Sequence, residues 1–189
     1  MAAARPLIAV AAGAVLLLGG CGFDGGTATP GPATTTAVSP QFNAADVTFV
    51  RALVPQHLEG VEIARIGAQR SSRPEIRMLA GAIVATQTDE AARLTGWLST
   101  WHQPAPPTAT TSGSTGKADP AKAIAALRAM PAADFDKAFL DLMIVQQDAA
   151  VKLARAEAGA GANPNALAFA RQVDESRTAE IAEMRNYLG

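Results

Sequence analysis

The sequence predicts an all-α protein: a four-helix bundle made of two repeated helical hairpins, with a short extra helix in the connection. Three observations carry this. First, two stretches repeat at a constant offset of about 90 residues with no gap. Asp46, Phe49, Leu53, Gln56 and His57 return as Asp136, Phe139, Met143, Gln146 and Gln147. Val61, Ala64 and Arg65 return as Val151, Ala154 and Arg155, and Pro74, Ala80, Glu90 and Leu98 as Pro164, Ala170, Glu180 and Leu188. Second, apolar residues in these stretches recur three and four apart, the helical period. Third, no run of alternating β-branched residues is bounded by turns, so no strand is predicted. Two copies of one helical hairpin bury their apolar faces against each other.

Residues 1–20 read as a signal peptide. Arg5 is its one positive charge, and the apolar stretch Leu7 to Leu18 falls short of the roughly 20 residues a membrane span needs. Leu18-Gly19-Gly20-Cys21 resembles the bacterial lipobox, which implies cleavage before Cys21 and a thioether-linked diacylglycerol on it. The expected location is therefore the extracytoplasmic face of a cell membrane, with the membrane itself as partner. Cys21 is the only cysteine, so no disulfide can form and the domain must hold by packing. Residues 21–41 are rich in Gly, Thr, Pro, Ala and Ser and read as a flexible tether. The bundle is expected over 42–189: repeat one at 46–102, a linker at 103–118, and repeat two at 119–189.

Helix one is expected from Ala44 to Gln69, with Asn43 as N-cap and Asp46 completing a capping box. Its stripe is Phe49, Leu53, Gln56, Gly60, Ile63, Ala64 and Gly67. Pro55 removes one donor, which predicts a kink just before His57 and leaves the Arg51 carbonyl as a possible acceptor. Helix two opens at Ser72-Arg73-Pro74-Glu75, where Ser72 and Glu75 have capping-box spacing, and runs to Trp101. Pro104 to Gly116 reads as a mobile loop. Asp119-Pro120 opens the short helix, Ala121 to Met130. Helix three follows from Ala133 to Ala158, ended by Gly159 and Gly161. Asn163-Pro164 opens helix four, whose stripe is Leu167, Ala170, Val173, Ile181, Met184 and Leu188.

Composition excludes several functions. Lys plus Arg number 16 against 17 Asp plus Glu, so there is no basic field for nucleic acid. A carboxylate di-iron centre needs Glu-x-x-His on two helices, and that motif is absent. Gly116-Lys117 lies in a low-complexity loop without the strand a phosphate-binding loop requires. No catalytic constellation is found. His57 has two readings, as a ligand or as a stripe-edge histidine bonded to a carbonyl or glutamine. Met143 and Met184 are read as core filler or thioether ligands, and His102 as solvated at a loop mouth. Gln56 and Gln146 hold equivalent mid-stripe positions. Buried amides need partners, so these two are expected to bond each other and set the register of the repeats.

Phe-x3-Leu/Met-x2-Gln/His-His, then Ala-Arg, Pro-Glu, Leu-Ala, Gln-x2-Glu and Trp-Leu, resembles domain-of-unknown-function family 305 over Asp46 to Trp101 and again over Asp136 to Leu188. The resemblance implies an exported bacterial bundle with a ferritin-like arrangement, and it brings a link to copper, which suits imidazole and thioether ligands. The family's helix-one core reads Met-x2-His-His-x5-Met. Here Leu53, Gln56 and Ile63 stand at three of those positions, and Leu94 replaces the helix-two Met. In the second repeat Gln146 and Gln147 replace the histidines, Leu153 a Met, and Arg177 a Gln. The ligand set the resemblance leaves is His57, Met143 and Met184. The expected function is a membrane-tethered, non-enzymatic binding or interaction module without a cofactor. The alternative is a copper-handling protein with a reduced His/Met site.

Overall fold

The structure, a computed structural model, describes residues 37–106 and 119–189. Cys21, the signal peptide, most of the tether and most of the linker lie outside them. The residues from Ala37 onward form one compact unit. Its described residues form five helices: α1 (Ala44–Arg70), α2 (Pro74–Thr100), α3 (Pro120–Ala129), α4 (Ala132–Ala160) and α5 (Pro164–Leu188). No strand occurs among the described residues. The hairpins α1/α2 and α4/α5 join through packing of α1 on α4, and α3 sits against both of those helices.

Helix starts follow local chemistry. Asn43 accepts from the N–H of Ala45 and Asp46, while its own N–H donates to Asp46 Oδ2 at 2.6 Å, a complete capping box. Asp119 and Asn163 cap α3 and α5, each followed by proline at the first helical position. The box expected at Ser72 and Glu75 does not form. Arg73 is the N-cap residue, Glu75 pairs with its guanidinium at 2.8 Å, and Ser72 Oγ donates to Asp136. Arginines also satisfy carbonyls at helix ends. Arg70 donates to the carbonyls of Leu127, Arg128 and Met130 at the end of α3, and Arg73 to that of Tyr187 at the end of α5. The helix α1 runs on through Pro55 to Arg70.

The domain begins earlier than the sequence suggested. Val38 is buried, and Ser39 and Gln41 accept from Asn163 Nδ2. Trp101 Nε1 donates to the Ser39 carbonyl, and Ser39 N–H donates to Asn165 Oδ1 at 2.9 Å. Residues expected as the end of a tether are instead stitched onto α2 and α5.

Two apolar cores occupy the unit. One gathers Ile63, Ile66, Ile76, Ile83, Phe135, Phe139, Met143, Ile181 and Met184, with Ile124 and Leu127 of α3. The other gathers Phe49, Leu53, Leu94, Leu98, Trp101, Phe169 and Val173. Each long helix passes from one core to the other. At every passage it presents polar side chains: Gln56 and His57, Gln87 and Glu90, Gln146 and Gln147, Arg177 and Glu180. A polar layer therefore divides the interior. Two glycines of α1 set how closely α4 approaches. A Cβ at Gly67 would overlap the Phe139 ring, and one at Gly60 would overlap Gln87 Oε1 and Gln146 Nε2.

Candidate functional site

The polar layer is the candidate site, and the repeat builds it. Positions 56/146, 57/147, 87/177 and 90/180 are equivalent, so each long helix supplies one pair. Gln56 Nε2 donates to the Gln146 carbonyl at 2.7 Å, and Gln146 Nε2 donates to the Gln56 carbonyl at 2.9 Å. The two glutamines thus bond each other's backbone, not each other's side chains. They fix the register of α1 on α4, and Gly60 leaves them the space.

Next to them lies a charged network. His57 is fully buried. Its Nδ1 lies 2.9 Å from Gln56 Oε1 and its Nε2 lies 3.1 Å from Glu90 Oε2, so both ring nitrogens face an acceptor oxygen. The Arg51 carbonyl takes no part. Arg177, 0% exposed, pairs with Glu90 of α2 through one guanidinium nitrogen. Through the other it donates to Glu180 Oε1 at 2.8 Å. Gln147 donates to Glu180 Oε2, and Gln87 donates to Gln147 Oε1 at 3.1 Å. Burial drives the His57 pKa below its ordinary value of 6.5; Glu90 opposes the shift and Arg177 reinforces it. Burial raises the Glu180 pKa, with Arg177 pulling the other way and Glu90 and Glu183 adding to the rise.

A second buried pair ties the start of α1 to the α4–α5 turn. Asp46 accepts from the N–H of Asn43, Ala162 and Asn163, and the Glu157 carboxyl lies beside it. Burial alone would push Asp46 up; the Glu157 carboxyl and the backbone donors outweigh it and hold the pKa below the ordinary carboxylate value. Glu157, 2% exposed, is pushed up to about 8 by burial and by the neighbouring Asp46. The protonated carboxyl of Glu157 is the donor such a pair needs.

The residues singled out from sequence are placed as follows. His57 is at the centre of the polar layer. Met143 and Met184 are fully buried in the apolar core of Ile63, Ile83 and Phe139. His102 is exposed, with a φ of 54° in the left-handed region just past α2. A copper ion does not fit the donors around His57. Both ring nitrogens already face side chains, a guanidinium lies across the adjacent carboxylates, and the polar contacts of His57 include neither thioether. Among the described residues no group of three or more His, Cys, Asp or Glu is arranged to hold a metal ion.

Sequence reasoning missed Arg177 as the partner of Glu90, and it missed the Asp46–Glu157 pair. The first carried a signal. The α5 stripe steps from Val173 to Ile181, and the position between them, one helical turn from each, is an arginine. A charge on a core stripe demands a buried partner.

No curated protein matches the chain, but solved structures do. A DUF305 fragment from Deinococcus radiodurans is 27% identical, with a TM-score of 0.69 over 78% of this chain and 97% of that one. A candidate secreted DUF305 protein from Streptomyces coelicolor is 28% identical, with a TM-score of 0.67 over 76% of this chain and 90% of that one. CopM in its Cu(I)-bound form is 22% identical, with a TM-score of 0.64 over 75% and 94%, a likeness of fold alone. The model of the family described as Domain of unknown function (DUF305) matches residues 46–188, and the chain belongs to that family.

Proposed function

We propose that this protein is an exported, membrane-anchored lipoprotein whose helical bundle acts by binding or interaction and not by catalysis. The observation that carries the non-catalytic reading is the state of the interior. The ionisable side chains at the bundle centre are spent on one another: His57 on Glu90, Glu90 on Arg177, Arg177 on Glu180. A catalytic acid or base needs reach to a substrate proton, and these groups face inward at 0% exposure for His57 and Arg177. Export and anchoring rest on Leu18-Gly-Gly-Cys21, and the candidate secreted relative from Streptomyces coelicolor agrees with an extracytoplasmic location. No helix of the described residues is long and apolar enough to cross a membrane, so a lipid on Cys21 is the anchor proposed.

Cys21→Ser tests the anchor. The variant is expected to keep the far-ultraviolet helical spectrum of the parent and to leave the membrane fraction. A Ser variant that still sediments wholly with membranes, or a parent whose mass carries no acyl group, overturns the reading. Copper handling, the second expectation from the sequence, gains no support from the geometry at His57.

A further inference from the structure

We infer that the end of the bundle where α1 begins and α2 ends is a membrane-docking surface, whose groove beside Phe42 and Val47 seats the phosphate headgroup of an anionic phospholipid on Arg51. The inference rests on the lipid proposed at Cys21, which brings a membrane within reach.

The chain itself sets which end meets the lipid. Val38 is buried and Trp101 Nε1 donates to the Ser39 carbonyl at 3.0 Å, so the segment coming from Cys21 joins the domain at this end. Residues 22–36 are all that separate Cys21 from the described chain. Fully extended, they span at most about 55 Å. With 27 residues, α1 alone is about 40 Å long. Bringing the far end of the bundle to the membrane takes most of that reach and the chain freedom that goes with it; bringing the near end takes little.

The near end also has the chemistry of a lipid-facing surface. An open groove of about 780 Å³ runs along the first turns of α1, with Phe42, Val47, Thr48, Arg51 and Gln103 in its walls. Arg51 is the one charged residue that lines it. Arg51 is half-buried and makes no ion pair among the described residues. Behind the groove, Phe42 stacks on Trp101 with ring centres 5.0 Å apart, and Trp97 lies 6.0 Å from Trp101. Exposed Arg93 lies over the rings of Trp97 and Phe169. Indole rings and cations are the side chains that a headgroup layer favours. The carboxylates of Asp46 and Glu157 lie under this end, but both are buried and withheld from the surface. The far end carries both signs, Asp134 and Glu183 beside Lys137 and Arg185, all exposed. An anionic membrane therefore meets an unopposed cation only at the end that the anchor already brings to it.

The test uses the full-length acylated protein, purified from membranes and reconstituted in vesicles, with its mass confirming the acyl group. The chain has 2 tryptophans, Trp97 and Trp101, and both sit at this end, so their fluorescence reports docking without a label. Vesicles of phosphatidylcholine brominated close to the headgroup are compared with the same vesicles containing phosphatidylglycerol. Quenching by the bromine is expected, stronger with phosphatidylglycerol and weakened by high salt. Arg51→Glu should lower the ratio of docked to undocked protein by about fivefold or more. Thr48→Asp, at an exposed position in the groove, should lower it too, and keeps the test standing if Arg51→Glu does not fold. An acylated parent that is not quenched, or quenching that is the same in the parent and the folded variants, overturns the docking surface and leaves the anchor intact. An unquenched parent that sediments as a dimer would put a second copy in the groove and overturns it as well. A mass without an acyl group overturns the anchor, and this inference with it.

Discussion

Glu157→Gln should make this protein more resistant to rising pH. Glu157 keeps its proton up to about 8 in the folded state, against 4.5 for an ordinary glutamate. The folded chain therefore binds one more proton than the unfolded chain between those values. The stabilisation is complete below pH 4.5 and is lost as pH rises through the folded value. One extra bound proton is worth about 1.4 kcal/mol per pH unit, so the step from pH 6.5 to 8 costs the parent about 2 kcal/mol. The effective dielectric of even a buried site lowers this to about 1 kcal/mol. Glutamine can still donate to Asp46 and does not titrate. Near pH 6.5 the two chains should differ little; by pH 8 the variant should have gained about 1 kcal/mol on the parent. Urea unfolding at both pH values, followed by circular dichroism, reads the difference directly. His57 and Glu180 titrate alike in both chains and cancel. A difference that stays constant with pH, or that moves against the variant, refutes the shared-proton account.

Gly60→Ala should destabilise although alanine favours helices. The new methyl group displaces the amides of Gln87 and Gln146, and two buried hydrogen bonds at about 1 kcal/mol each exceed the roughly 0.5–1 kcal/mol alanine returns. A net loss of about 1–1.5 kcal/mol is expected in urea, and no loss would mean the amides do not set the α1–α4 spacing. Glu90→Gln should cost about 3 kcal/mol, because it leaves Arg177 with one carboxylate in a buried layer. For a domain of this size that is a fall in melting temperature of about 6–12 °C; a fall under about 2 °C would show the pair to be marginal.

The fold was legible because each level of the sequence pointed the same way. The repeat gave two hairpins, the three-and-four spacing gave the buried faces, and Asn43, Asp119 and Asn163 marked helix starts that the structure keeps. Where spacing alone was read, it misled. Ser72 and Glu75 fit a capping box, but Arg73 between them offered Glu75 a stronger, charged partner. The candidate site was half legible. Gln56 and Gln146 stood out as mid-stripe amides at equivalent positions, and their mutual bonding followed from burial. That each reaches the other's carbonyl depends on how closely α1 and α4 approach, which a single sequence does not state. Arg177 was seen only as a departure from a family pattern, because its partner Glu90 lies 87 residues away and on another helix. Glu157 carried no local signal; its burial follows from Gly161, which lets the turn fold over its carboxyl.

The central claim is that the polar layer is a sealed structural element and not a working site. The ionisation of His57, followed by nitrogen-15 magnetic resonance of its imidazole, tests this most directly. A histidine held below its ordinary pKa by burial contributes stability above pH 6.5 that is lost as pH falls through its folded value. The account predicts a ring whose protonation midpoint lies below the ordinary 6.5, and a ring N–H that exchanges slowly with water. A ring that titrates with a midpoint at 6.5 and exchanges rapidly would place His57 in contact with solvent and contradict it.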